Sequence, residues 1–443
     1  MACTSSHKKA NKIISHVDNH FMDFISLYDI IFLRFFYQEK SFNGAKITLR
    51  LNTEGVYIMY LLKGGKVLTM AGKNYDKADV LIDDGKILDV GEDIIAPLDA
   101  DVIDVTGLTV MPGMIDAHCH LGMWENAMGF EGADGNEATD PITPQMRAID
   151  GINPMDKYFE EAYEAGVTTA VTGPGSANVI GGQFAAIKTY GKRIDDMIIK
   201  APVAVKVAFG ENPKTVYNEQ HKMPTTRMAV AALLRQELIK AQEYMENMEK
   251  YADDDEKRPS RDLGLEALVK VLKHEIPLKA HAHRADDIFT ALRIAKEFNV
   301  DITLDHCTEG HLIADYLVKE NAKVIVGPSL SERSKIELIN LTFKTPGILS
   351  KAGLDVAIMT DHPVIPLNYL PICAGLAVKE GMDEMEALKA ITINPAKIVG
   401  ISDRVGSIEK GKDADIAVFD GSPIEIKTKT KYVFINGEIV YKA

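Results

Sequence analysis

His118-Cys119-His120 closes an apolar run that begins at Leu108 and reads Leu-Thr-Val-Met-Pro-Gly-Met-Ile-Asp-Ala. On a β-strand, residues i and i+2 face the same way, so both imidazoles converge. Two converging imidazoles suit a divalent cation such as zinc. His281 and His283 repeat the spacing, and His306 and Asp361 each end a later predicted strand. Histidines and one carboxylate at strand ends, spread from residue 118 to residue 361, are what a catalytic metal at the mouth of a barrel requires.

The chemistry implied is hydrolysis. A cation held by imidazoles lowers the pKa of water from about 15.7 to near 7. Asp361 can take the proton from that water and deliver it to a leaving nitrogen, as general base and then general acid. The bond expected is C–N, in a small amide, cyclic amide, amidine or peptide-like substrate. One alternative is a deaminase of a nucleobase-like heterocycle on the same scaffold, which shares every ligand. The other is a non-catalytic scaffold protein, against which the intact set of histidines and Asp361 argues.

Strand ends need strands. Candidates with β-type patterning are 109–118, 167–172, 183–189, 202–209, 277–283, 301–306, 323–327 and 355–361. Helical spacing lies between most of them, as in Ala285–Phe298, His311–Glu320 and Met385–Ile393. Eight parallel strands alternating with helices predict a (β/α)8 TIM-like barrel, with catalysis at the C-terminal strand ends. Both ends of the chain are β-rich, with Asp84-Gly85 and Asn436-Gly437 as hairpin signals. They are expected to fold together into a small β-sandwich domain of residues 59–113 and 405–443, around a hydrolase barrel of 114–404. Between the fourth and fifth strands, Thr226–Tyr251 carries Leu234, Leu238, Ala241, Met245 and Met248 on one helical stripe. The expectation is a helix on the barrel rim; its other uses are a lid or a subunit contact in a homo-oligomer.

Bulk properties narrow the partners. A net charge of −14 disfavours nucleic acid, which needs a basic surface, and leaves a small molecule as the expected partner. Four scattered cysteines (Cys3, Cys119, Cys307, Cys373) suggest buried thiols in a reducing, cytoplasmic compartment rather than a disulfide framework. Residues 1–58 differ in texture, with an apolar patch at Phe24–Tyr37 that Asp29 and Arg34 interrupt. The patch is too short for a membrane span, which needs about 20 apolar residues. The functional protein is expected to begin near Met59, with 1–58 an appended extension, not native or poorly ordered, or else an amphipathic helix.

Four stretches together resemble the amidohydrolase superfamily, within it the imidazolonepropionase-related enzymes. They are Val110-Met-Pro-Gly-Met-Ile-Asp-Ala-His-Cys-His120, His281-Ala-His-Arg-Ala-Asp-Asp-Ile288, Asp305-His306 and Thr360-Asp-His362. Gly406–Ile416 also looks like that family's return into the sheet domain. The resemblance implies metal ligation by His118, His120, His281, His306 and Asp361, with His283 left to substrate contact. It implies a fourth-strand ligand too, either a carboxylated Lys206 or Glu211, the latter preferred for lying at the strand end in Glu-Asn-Pro. The implied cofactor is a divalent metal, zinc first and iron or manganese as alternatives, as one ion or two. Arg284 and Arg333, in loops after strands five and seven, are candidates to hold a substrate carboxylate bidentately.

Overall fold

The computed structural model describes residues 58–443 and, ahead of them, only two short strands, Lys40–Phe42 (β1) and Ala45–Ile47 (β2), paired antiparallel. The apolar patch at 24–37 and Cys3 lie outside the described residues.

Both ends of the segment 58–443 meet in one sheet. Its strands are Tyr60–Val67 (β3), Tyr75–Asp83 (β4), Lys86–Gly91 (β5), Asp101–Asp104 (β6), Thr109–Pro112 (β7) and, after the barrel, Ile416–Phe419 (β16), Thr430–Ile435 (β17) and Glu438–Lys442 (β18); β8–β15 form the barrel. The order is β18-β17-β16-β7-β3-β4-β5, with β6 alongside β3. Both expected hairpins form, and Asp84, Gly85, Asn436 and Gly437 all have the positive φ that a type I′ turn demands. Leu62, Val80, Ile82, Val110, Ile416 and Phe434 make its core.

The apolar run before the first histidines is split between two sheets. Thr109–Pro112 pairs with β16 in the terminal sheet, whereas Met114–Cys119 (β8) opens the barrel. The break is at Gly113, where a Cβ would stand 2.1 Å from Thr168 Oγ1, so only glycine lets the chain cross.

The barrel continues with Val167–Thr172 (β9), Ile180–Lys188 (β10), Ile198–Ala208 (β11), Leu278–Ala282 (β12), Ile302–His306 (β13), Lys323–Val326 (β14) and Val356–Ile358 (β15). All eight expected strands are present and neighbour one another in chain order. The third departs from the expected all-parallel arrangement: β10 runs antiparallel to both β9 and β11. Only seven residues, 173–179, separate β9 from β10. That is too few for a crossover helix, which takes about a dozen.

Between β8 and β15, at the two ends of the order, a side chain closes the seam. Asp116 accepts from the Thr360 amide at 2.9 Å and the Thr360 hydroxyl at 2.6 Å with one oxygen, and from the His118 amide at 2.9 Å with the other. The His120 amide adds a bond to the His362 carbonyl at 2.8 Å.

The expected long helix runs from Arg227 to Lys250, capped by the Thr226 hydroxyl accepting from the Ala229 amide. Val230, Leu234, Leu238, Ala241 and Tyr244 are its buried stripe, the first four in one core with Leu268 and Val271 of helix Leu263–Leu272 and Ile288 and Ala291 of helix Ala285–Phe298. Met245 and Met248 stay half-buried, because Tyr244 takes the inner position. Among the described residues no helix is long and apolar enough to cross a membrane. Cys119, Cys307 and Cys373 are free and buried.

Candidate metal centre

The strand-end residues gather into two groups of metal-ligand type, His118 with His120 and Asp361, and His281 with His283 and His306; within each, the ligand atoms lie within 4.8 Å of one another. β8 delivers the first pair, and the residues just past β15 deliver Asp361. Asp361 Oδ1 stands 3.3 Å from His118 Nε2 and 3.2 Å from His120 Nε2. His306 and Asp361 both have left-handed backbone, at φ 70° and 54°, so each strand breaks sharply at the residue that carries the chemistry.

Ring orientation is set from behind. His120 Nδ1 meets the Gly173 carbonyl at 2.7 Å, His306 Nδ1 the Gly327 carbonyl at 2.9 Å, and His283 Nδ1 the Thr308 hydroxyl at 2.8 Å. With Nδ1 so engaged, Nε2 is left facing the site, the arrangement that ligating histidines use. His118 Nδ1 faces Asp305 Oδ2 at 2.9 Å, and Lys279 holds the other oxygen of Asp305 at 3.0 Å. Phe184 of β10 stacks on the His118 ring, with centroids 5.3 Å apart.

The donor set fits a cation. Both nitrogens of His281 and Nε2 of His283 are buried without a hydrogen-bond partner, at a cost of about 1–3 kcal/mol for each such group. Burial pushes His281 down to about 4 and His283 and His306 well below their ordinary value, so all three are neutral at pH 7 and offer lone pairs. Burial alone would raise Asp361, but His118 and His120 hold it well below the usual carboxylate range.

The two fourth-strand candidates part company. Lys206, fully buried on β11, puts Nζ 3.2 Å from His118 Nε2 and 3.4 Å from Asp305. Burial lowers its ammonium to about 8. Glu211 comes after Gly210, whose φ of 82° turns the chain into helix Glu211–Glu219, and it joins neither histidine group. The chain therefore brings Lys206, not the preferred Glu211, against the cluster.

A cavity of about 660 Å3 opens over the cluster, lined by His120, His281, His283, His306 and Asp361. Trp124, Leu330 and Leu338 give it apolar wall; Ser176, Asn212, Ser331 and Lys335 give it polar wall. His283, expected at the substrate, lines the cavity while grouping with His281 and His306. Arg284 and Arg333 do not line it. Arg284 is spent on Asp286 at 2.8 Å, and Arg333 on the Leu341 carbonyl at 2.6 Å. The cation that does line it is Lys335. His362 packs edge-on to Tyr158 and joins neither group.

Sequence reasoning missed Glu337 and Lys279, and it gave no role to Asp305 of the Asp305-His306 motif. Asp305 is adjacent to His306 yet serves His118, across the barrel. Glu337, in the loop after β14, is buried with Oε1 3.7 Å from His281 Nε2 and 3.6 Å from His283 Nε2. A glutamate between Ile336 and Leu338 in a mouth loop was the available signal.

Comparison with known proteins agrees with this architecture. Residues 109–440 match the amidohydrolase family. An amidohydrolase from Thermotoga maritima MSB8 superposes with a TM-score of 0.84 at 43% identity, covering 87% of this chain and 100% of that one. The amidohydrolase tasK of Hapsidospora irregularis is 30% identical over 389 residues, 81% of this chain, which spans only 39% of that protein's length. An imidazolonepropionase of Thermoplasma volcanium is 25% identical over 418 residues, 85% of this chain and 96% of that one. With a match running from β7 into β18 and a solved relative of the same fold, the chain belongs to the amidohydrolase family.

Proposed function

We propose that the protein is a metal-dependent hydrolase that cleaves a C–N bond in a small amide, cyclic amide or peptide-like substrate. The observation that carries this reading is the convergence of Asp361 and five histidines under one cavity. Zinc suits the nitrogen-rich set best. Held there, a divalent cation would polarise the scissile carbonyl and acidify a water. Asp361, with its carboxylate 14% exposed on the cavity, is placed to accept that water's proton and return it to the leaving nitrogen. His120 keeps its direction through the Gly173 carbonyl and the Trp124 ring, 4.9 Å away by centroid.

Lys206 is the fourth-strand ligand in this reading. A charged lysine buried beside Lys279, with Asp305 between them, is expensive to keep. As the neutral amine it can add carbon dioxide and release a proton, and the resulting carbamate would supply an anionic ligand beside His118.

A hydrolysis screen of zinc-loaded protein over N-acyl amino acids, dipeptides and cyclic ureides, with ammonia release from purines and pyrimidines followed in parallel, tests the proposal. Amine or carboxylate release without ammonia is expected. Ammonia release from heterocycles alone would make the protein a deaminase.

A further inference from the structure

The two histidine groups differ in charge. The first includes the carboxylate of Asp361, whereas the second is three imidazoles. A carboxylate stands beside the second group as well. We infer that Glu337 is a cation-binding residue of the second group, its counterpart to Asp361.

Glu337 is fully buried, and its Oε1 stands 3.6 Å from His283 Nε2 and 3.7 Å from His281 Nε2. Those separations are too long for hydrogen bonds. They match two ligands on a common ion, since bonds of about 2.0–2.1 Å at tetrahedral angles put ligand atoms roughly 3.4 Å apart. Neither Nε2 has a hydrogen-bond partner, and both stand within 3.7 Å of the one carboxylate oxygen.

The carboxylate is also held in place. Oε2 accepts from the Glu211 amide at 3.0 Å, and a Cβ at Gly210 would stand 2.8 Å from it, so glycine there leaves the carboxylate its room. Glu211, on this view, serves the centre through its backbone rather than its side chain. Oε1 accepts from Lys335 Nζ at 2.8 Å, and Lys335 is also tied to Asn212 Oδ1 at 2.7 Å. The Lys335 side chain is 26% exposed and borders the cavity, so its ammonium can turn outward when a cation takes over the charge of Glu337.

The inference rests on the hydrolase reading only in taking these histidines to bind a cation. Full-length protein, wild type and variants, is loaded with zinc, desalted and analysed for zinc per chain by mass spectrometry. Glu337→Gln keeps both oxygen-sized positions and an acceptor for the Glu211 amide, and is expected to hold about half the wild-type zinc. Retention of wild-type zinc in that variant overturns the inference and leaves the hydrolase reading standing. A wild-type chain that takes up no zinc overturns both. Lys335→Met gives an independent measurement. Removing the competing ammonium is expected to slow loss of the second zinc to a chelator several-fold, and equal or faster loss overturns the inference.

Discussion

At the scale of single residues, the role of Asp361 follows from where its oxygen points. Its Oδ1 is shared between His118 and His120, and its backbone is left-handed at φ 54°. Asparagine tolerates that conformation, so Asp361→Asn keeps the turn and removes the base. Turnover is expected to fall on the order of 10²-fold or more, with KM changing far less. Near-wild-type kcat would move the proton-shuttle role to His283 or His306. Lys206 and Glu211 give a paired prediction. Lys206→Met should strip most of the bound metal while Glu211→Gln leaves it in place, read as metal per chain. The reverse outcome would return the fourth-strand role to Glu211.

Elements position those residues, and the weakest joint is the seam between β8 and β15. Asp116 occupies it, fully buried, and burial pushes its carboxyl up to about 7 despite three donors. Asparagine there would turn an N–H toward one of those donors and leave a buried group unpaired. Asp116→Asn is expected to cost about 1–3 kcal/mol, measured by urea unfolding. Metal retention should weaken with it, because the seam sets the spacing of His118 and His120 from Asp361. Unchanged stability and metal content would show that backbone packing alone closes the barrel.

For the whole molecule, the terminal sheet is pinned to the barrel by a buried ion cluster. Lys188 of β10 reaches Asp413 at 2.9 Å and Asp415 at 2.5 Å, ahead of β16, and Asp413 also takes Lys86 of β5 at 2.5 Å and Arg404 at 2.8 Å. Burial alone would raise the Asp413 carboxyl, but Lys188, with Lys86 and Arg404, brings it down to about 2. An unfolded aspartate titrates near 3.9. The folded value is the lower one, so this group's stabilisation is fully present above about pH 4 and is lost as pH falls toward 2. Wild type should therefore lose stability more steeply over that range than Asp413→Asn, which begins less stable at pH 7. Parallel acid profiles for the two would remove the cluster from the account of how the sheets are joined.

How much of this was legible in the chain depends on the range of the interaction concerned. The pairing of His118 with His120 and of His281 with His283 follows from strand period, and the Asp84-Gly85 and Asn436-Gly437 turns follow from backbone preference, so residues a few positions apart were enough. The order of eight barrel strands was readable for the same reason. The antiparallel β10 was not read, because the expected strand began at 183, and only the observed start at Ile180 leaves a connection too short for a crossover helix. Other features needed contacts between residues far apart in the chain. Lys206 and Glu211 are five residues apart and equally plausible by type, but the pleat carries Lys206 to His118 while the turn at Gly210 sends Glu211 into a helix. Glu337 meets His281 and His283 only because the loop after β14 folds over the strand that carries them. Asp116 meets Thr360 only because the first and last strands close a ring. Local period and turn chemistry act over a few residues and can be read from one chain; which buried charge faces which ligand is decided by closure of the barrel, where the partners are up to 244 positions apart.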